Sequence, residues 1–204
     1  MKPIYERLTG AEMVVYAAKF MFERFLTDAA GGNISLKKGN TIYISPTLAG
    51  TNYHWEIGTE DVVSGSVDDL DSLLEHPRFT REGLSHIAIY KAFPYVQSIV
   101  HAHPKYINPF VAVSKPIPAL MNSAKYFGSM QYHKESAPFS QEQADSIVEI
   151  LRTQEDVMKR KAAAVLMPRH GIILASQNNM MVTLDCLERI NNNAFAVLAQ
   201  KLID

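Results

Sequence analysis

The sequence predicts an α/β domain in which helices cover a partly antiparallel sheet. Three observations predict it: segments with helical apolar spacing opened by capping residues, short β-prone runs between them, and turns too short for a crossover between some neighbouring strands. With 204 residues and 47% apolar content, the chain can bury a substantial core as one domain spanning 1–204.

Thr9-Gly10-Ala11-Glu12 matches a capping box, and Met13, Val14, Tyr16, Ala17, Phe20 and Met21 recur at helical spacing, so a first helix is expected over about 10–26. Asn33–Leu36 and Thr41–Ser45 are β-prone runs around Lys37-Lys38-Gly39-Asn40 and predict a hairpin. Residues 46–77 are polar and turn-rich, with a short strand near 61–64 and an acidic surface patch at Asp68, Asp69 and Asp71. Thr80 is the expected cap of a helix over about 81–93, with Leu84, Ile87, Ala88 and Lys91 in one stripe and Glu82 in the first turn. Val96–His103 reads as a strand that stops at Pro104. A short helix over 105–113 and strand character around 126–133 follow. Ser140-Gln141-Glu142-Gln143 is a second capping box, opening a helix to about 160. Ala163–Met167 and Gly171–Ala175 are buried-strand runs flanking Pro168-Arg169-His170. A last helix over about 180–203 is capped by Asn178 or Asn179.

The charge balance narrows the function. With 20 basic against 21 acidic residues, the chain has no electrostatic footprint for nucleic acid or anionic lipid, so any anionic ligand must be caught locally. Met1–Glu6 has no signal-peptide core, and apolar runs such as Ala162–Met167 are far too short to span a bilayer; a cytoplasmic protein is expected. The single cysteine, Cys186, reads as a buried core thiol.

Of seven histidines, His101 and His103 stand two apart on the expected strand and so share a face, from which two imidazoles can meet one metal ion. The spacing also fits two strand-end histidines sharing hydrogen bonds. His170, between two apolar strands, is a candidate third ligand or a polar residue marking a bend. Glu82 could point over the end of the His101 strand, or simply offset the helix dipole. Ala30-Gly31-Gly32-Asn33-Ile34-Ser35 could cradle an anion with backbone N–H groups, with Asn33 and Ser35 adding side-chain donors, or be a plain turn.

Together and in this order, Gly32-Asn33-Ile34-Ser35, Ile44-Ser45-Pro46-Thr47, Glu82, His101-Ala102-His103 and His170-Gly171 resemble the class II aldolase and adducin head family, over nearly the whole chain. The resemblance implies a three-layer α/β/α sandwich with a central mixed, mainly antiparallel sheet, and a homotetramer with sites at subunit interfaces. It implies that His101, His103 and His170 bind a divalent metal, most simply Zn2+, with open positions for substrate oxygens. Glu82 becomes the general acid/base, with a pKa lifted toward neutrality by a dry pocket, and Gly32, Asn33, Thr47 and Thr80 fall where the family binds phosphate. The implied activity is aldol cleavage of a small phosphorylated ketose through a metal-stabilised enediolate. Epimerase, dehydratase or decarboxylase chemistry on the same metal is the alternative, and a non-catalytic adducin-like interaction module a further one. The chain departs from the family pattern at Leu48 (a glycine there), Arg81 (a small hydroxyl residue) and Ala30 (a threonine). Arg81 could grip phosphate or carboxylate in compensation. The tyrosine that protonates the leaving aldehyde aligns with Asn122, leaving Tyr106, Tyr126, Tyr132 and His133 as substitutes.

Overall fold

The computed structural model describes residues 2–128 and 130–203; Met1, Ser129 and Asp204, within the expected 1–204 span, lie outside the described residues. In chain order the elements are α1 (Ile4–Arg7), α2 (Gly10–Glu23), β1 (Asn33–Lys38), β2 (Thr41–Ile44), α3 (Ala49–Tyr53), β3 (Val63–Ser66), α4 (Gly83–Ala92), β4 (Ser98–Ala102), α5 (Asn108–Ala112), β5 (Gln131–Tyr132), α6 (Gln141–Arg152), α7 (Glu155–Arg160), β6 (Ala163–Met167), β7 (Gly171–Ser176) and α8 (Met180–Ala199).

The strands form one sheet in the order β3-β2-β1-β4-β7-β6-β5, antiparallel at every pairing except β5 with β6. Alternation along the strands divides the core. Val100, Leu166, Ile172 and Leu174 pack with α2 and α8 on one face, while Ile99, Val165, Ile173 and Ala175 pack with α4 and α6 on the other. Two helical layers on a mainly antiparallel sheet make the expected three-layer α/β/α sandwich.

The Thr9 capping box forms in full: Thr9 Oγ1 accepts from the Glu12 backbone and Glu12 accepts from the Thr9 N–H. The Ser140 box is only half formed. Ser140 accepts from the Gln143 backbone, but Gln143 Oε1 accepts from Phe139 N–H instead. The helix expected to run on to 160 breaks at Thr153-Gln154. Thr153 closes the last turn of α6 by donating its hydroxyl to the Ile150 carbonyl, and α7 turns to pack on β6 and β7. Between 126 and 133 only Gln131–Tyr132 is extended, and 122–127 is a 3-10 turn.

The start of α4 differs most from expectation. Thr80 is not its cap: its carbonyl accepts the Gly83 N–H in a preceding turn, and Glu82 occupies the cap position without a side-chain capping bond. The expected stripe is also displaced, because α4 lies beneath the sheet and buries His86, Ile89 and Tyr90 as well as Ile87. Cys186 is buried as expected, and burial pushes its thiol up to about 11.

Candidate metal centre

β4 ends at Ala102, so His101 is its penultimate residue and His103 lies just beyond. Parity puts His101 on the α4 face, where the start of that helix delivers Glu82. His170 enters from the β6–β7 connection. Its neighbour Gly171 opposes the end of β4, and a Cβ at Gly171 would overlap the Ala102 carbonyl oxygen and lie 2.8 Å from His103 Cδ2. Gly32 is similarly constrained: φ is +110°, and a Cβ would sit 2.7 Å from Thr27 Oγ1 and 3.1 Å from the His101 carbonyl.

The three imidazoles converge, with one ligand nitrogen of each within 4.8 Å of the others. Their outer nitrogens fix which ones face inward. His101 Nδ1 lies 3.1 Å from the Ile172 carbonyl, which only accepts, so Nδ1 carries the hydrogen. His103 Nδ1 lies 3.2 Å from the Asp28 carboxylate, so the same holds there. The two Nε2 lone pairs then face each other at 3.2 Å, and His101 Nε2 also meets Glu82 Oε2 at 3.0 Å. No neutral tautomer satisfies three such acceptors; a cation does. Glu82 Oε1, buried and without a hydrogen bond, lies 3.1 Å from His170 Nε2. Three converging imidazoles, two of them oriented by outer partners, beside an under-satisfied buried carboxylate, fit a divalent metal ion.

The electrostatics correct one expectation. Burial pushes the Glu82 carboxyl up, but the neighbouring His101 and His170 side chains and the hydrogen bond from Asn33 outweigh it and hold Glu82 at about 2. Glu82 is therefore a carboxylate rather than a group lifted toward neutrality, because the same pocket brings two imidazoles and the Asn33 amide against it. Burial, followed by the nearness of the His101 imidazole, pushes His170 down to about 4, and burial lowers His103, which favours the neutral imidazoles a metal requires.

One pocket is lined by Gly32, Asn33, Thr47, Thr80, Arg81, Glu82, His101, His103 and His170, which brings together the residues expected to hold the metal, the acid/base and the phosphate. The anion-donor reading of Ser35 does not survive, because its buried Oγ is bonded to His86 and Tyr90. Asn33 donates one amide hydrogen to Glu82 Oε2 at 2.7 Å and accepts from His86 at Oδ1 at 2.6 Å, which leaves the second Nδ2 hydrogen for a ligand. Arg81 is exposed at the pocket mouth with its guanidinium 5.2 Å from the Phe139 ring centre. Leu48 has φ +58°, the left-handed region where a glycine is at ease. Tyr132 donates to the Phe110 and Lys115 carbonyls, Tyr106 packs on Phe195, and Tyr126 is exposed; none of them lines the pocket. His133 instead lines an adjoining cavity with Phe139 and His170.

Sequence reasoning missed Asp28 and His86. Asp28 Oδ1 also accepts from the Ala30 and Gly31 N–H groups, an aspartate turn ahead of the glycine pair that was readable in principle. Glu82, His86 and Tyr90, four apart, were equally readable as one helix face.

The chain is similar to several known proteins. An L-fuculose phosphate aldolase of Methanococcus vannielii is 30% identical over 107 residues, 52% of this chain and 56% of that protein, so the chain spans little more than half the length of this relative. A 3-oxo-tetronate 4-phosphate decarboxylase of Haemophilus influenzae is 24% identical over 202 residues, covering 96% of this chain and 91% of that one. The solved L-fuculose-1-phosphate aldolase of Thermus thermophilus superposes with a TM-score of 0.72 at 17% identity, covering 94% of each chain, and so shares the fold. The profile described as Class II Aldolase and Adducin N-terminal domain matches residues 12–194, and the chain belongs to that family.

Proposed function

We propose that this chain is a class II aldolase-like lyase that cleaves a small phosphorylated ketose with the help of a divalent metal, most simply Zn2+. The observation that carries the reading is the convergence of the inward Nε2 atoms of His101 and His103 with His170 and the Glu82 carboxylate in one pocket. A divalent ion held by the three histidines supplies Lewis-acid polarisation of the substrate carbonyl and stabilises the charge left when the carbon–carbon bond breaks. The Glu82 carboxylate, through Oε1, which takes no hydrogen bond, would take the hydroxyl proton released as the aldehyde forms and deliver it to the carbon left by that cleavage. Gly32, Thr47 and Thr80 line the wall for the phosphate, with Asn33 in the same wall holding Glu82, and Arg81 reaches from the mouth with a forked cation suited to phosphate or carboxylate.

Exposed Leu120, Met121, Tyr126 and Phe195 lie on or around α8 and support burial of that side in a homotetramer. No helix among the described residues is long and apolar enough to cross a membrane, which accords with a cytoplasmic location.

The test is to incubate zinc-loaded protein with a panel of ketose and keto-acid phosphates and resolve the products by NMR. Release of dihydroxyacetone phosphate supports the aldolase; a panel yielding only epimers or carbon dioxide removes it. A decarboxylase is the second reading, favoured by Arg81 at the pocket mouth and by the near full-length relative named for that reaction.

A further inference from the structure

Behind the pocket wall, α4 and β1 bury a second set of polar groups that metal binding does not use. His86 and Ser35 are fully buried and Tyr90 nearly so, among the apolar side chains beneath the sheet. A buried polar side chain is costly unless every donor and acceptor is matched, and here each match dictates the next. The Glu82 carboxylate only accepts, so Asn33 must present Nδ2 to it, at 2.7 Å. Asn33 Oδ1 is then turned toward His86 Nε2, at 2.6 Å, and Nε2 must carry the hydrogen. Burial pushes His86 down to about 3, so the imidazole is neutral and its Nδ1 is a lone pair. Ser35 Oγ, 2.7 Å from Nδ1, donates to it and accepts from the Tyr90 hydroxyl at 2.9 Å. The direction of every hydrogen is fixed from Tyr90 through Ser35, His86 and Asn33 to Glu82.

We propose that His86 is a positioning residue: by donating from Nε2 it fixes the Asn33 amide so that Glu82 is gripped at Oε2 and presents Oε1 to the pocket. The consequence is geometric. If the Asn33 amide turned over, its oxygen would face the carboxylate and push Glu82 off both His101 and His170. Glu82 therefore depends on a residue that never touches substrate. This rests on the proposed function only for the kinetic part of its test.

The spectroscopic part needs no activity. Long-range 1H–15N correlation spectra of metal-free and zinc-loaded protein should show His86 as the neutral Nε2–H tautomer with Nδ1 accepting a hydrogen bond, and an Nδ1–H tautomer overturns the proposal. With a substrate the enzyme turns over, His86→Gln, whose longer amide reaches Asn33, should keep kcat within about 3-fold of wild type. His86→Asn, which reaches only Ser35, should lose at least 10-fold in kcat with KM and zinc content unchanged. Equal losses in the two variants, or a loss confined to KM, overturn the proposal. Where either His86 variant does not fold, Ser35→Ala removes the donor to Nδ1. That variant should keep the Nε2–H tautomer, which Asn33 and Glu82 set, with kcat within about 3-fold of wild type, and an Nδ1–H tautomer in it overturns the proposal. If no substrate in the panel is turned over, the proposed reaction fails while the tautomer result still decides the role of His86.

Discussion

Acid should unfold this protein partly by protonating His86. In the folded chain burial holds this imidazole at about 3, against an ordinary value of 6.5. Below the ordinary value the unfolded chain binds the proton and the folded one does not, so stability falls as pH drops from 6.5 toward 3 and is unaffected by His86 above that window. At pH 4.5, two units into the window, the loss is about 3 kcal/mol at 1.36 kcal/mol per unit. With a urea slope of about 2 kcal/mol/M, that is roughly 1.5 M in the unfolding midpoint. The assay is urea unfolding followed by circular dichroism, with chelator present to remove metal linkage, for wild type and His86→Gln at pH 7.5 and 4.5. Glu82, His103, His133 and His170 titrate in both proteins and cancel, so the wild-type midpoint should fall by roughly 1.5 M more than that of the variant. Parallel losses would refute the assignment of His86 as a buried neutral imidazole.

Three further outcomes follow from the same geometry. Glu82→Gln should retain zinc while turnover falls by about 10²–10⁴-fold, measured by metal analysis and steady-state kinetics; full turnover would remove Glu82 as acid/base. Asp28→Asn withdraws the carboxylate that orients His103 and should weaken zinc binding by about 10–100-fold in a chelator competition, and unchanged affinity would show that His103 is held by packing alone. Gly171→Ala would drive a methyl into the Ala102 carbonyl and against His103, so we expect a loss of about 1–3 kcal/mol, read as a drop of several degrees in Tm together with weaker zinc binding.

The sequence alone determined what depends on local spacing. Thr9 with Glu12 defined the start of α2, the two β-prone runs defined the β1–β2 hairpin, and the spacing of His101 and His103 brought both to the end of one strand. The ordered motifs then fixed the family and hence the layered fold. What sequence left open depended on distances between segments far apart in the chain. The pairing of Asn33 with His101 across β1 and β4 brings the Asn33 amide to Glu82, and no local pattern in either strand encodes that register. The low pKa of Glu82 followed from the same convergence: burial by itself argued for a raised value, and only the positions of His101, His170 and Asn33 reversed the sign. Asp28 and His86 carried no motif of their own, because their importance comes from which atom of a neighbour they orient. Tertiary structure decided them, since a hydrogen bond acts over about 3 Å and chain order does not specify separations that small.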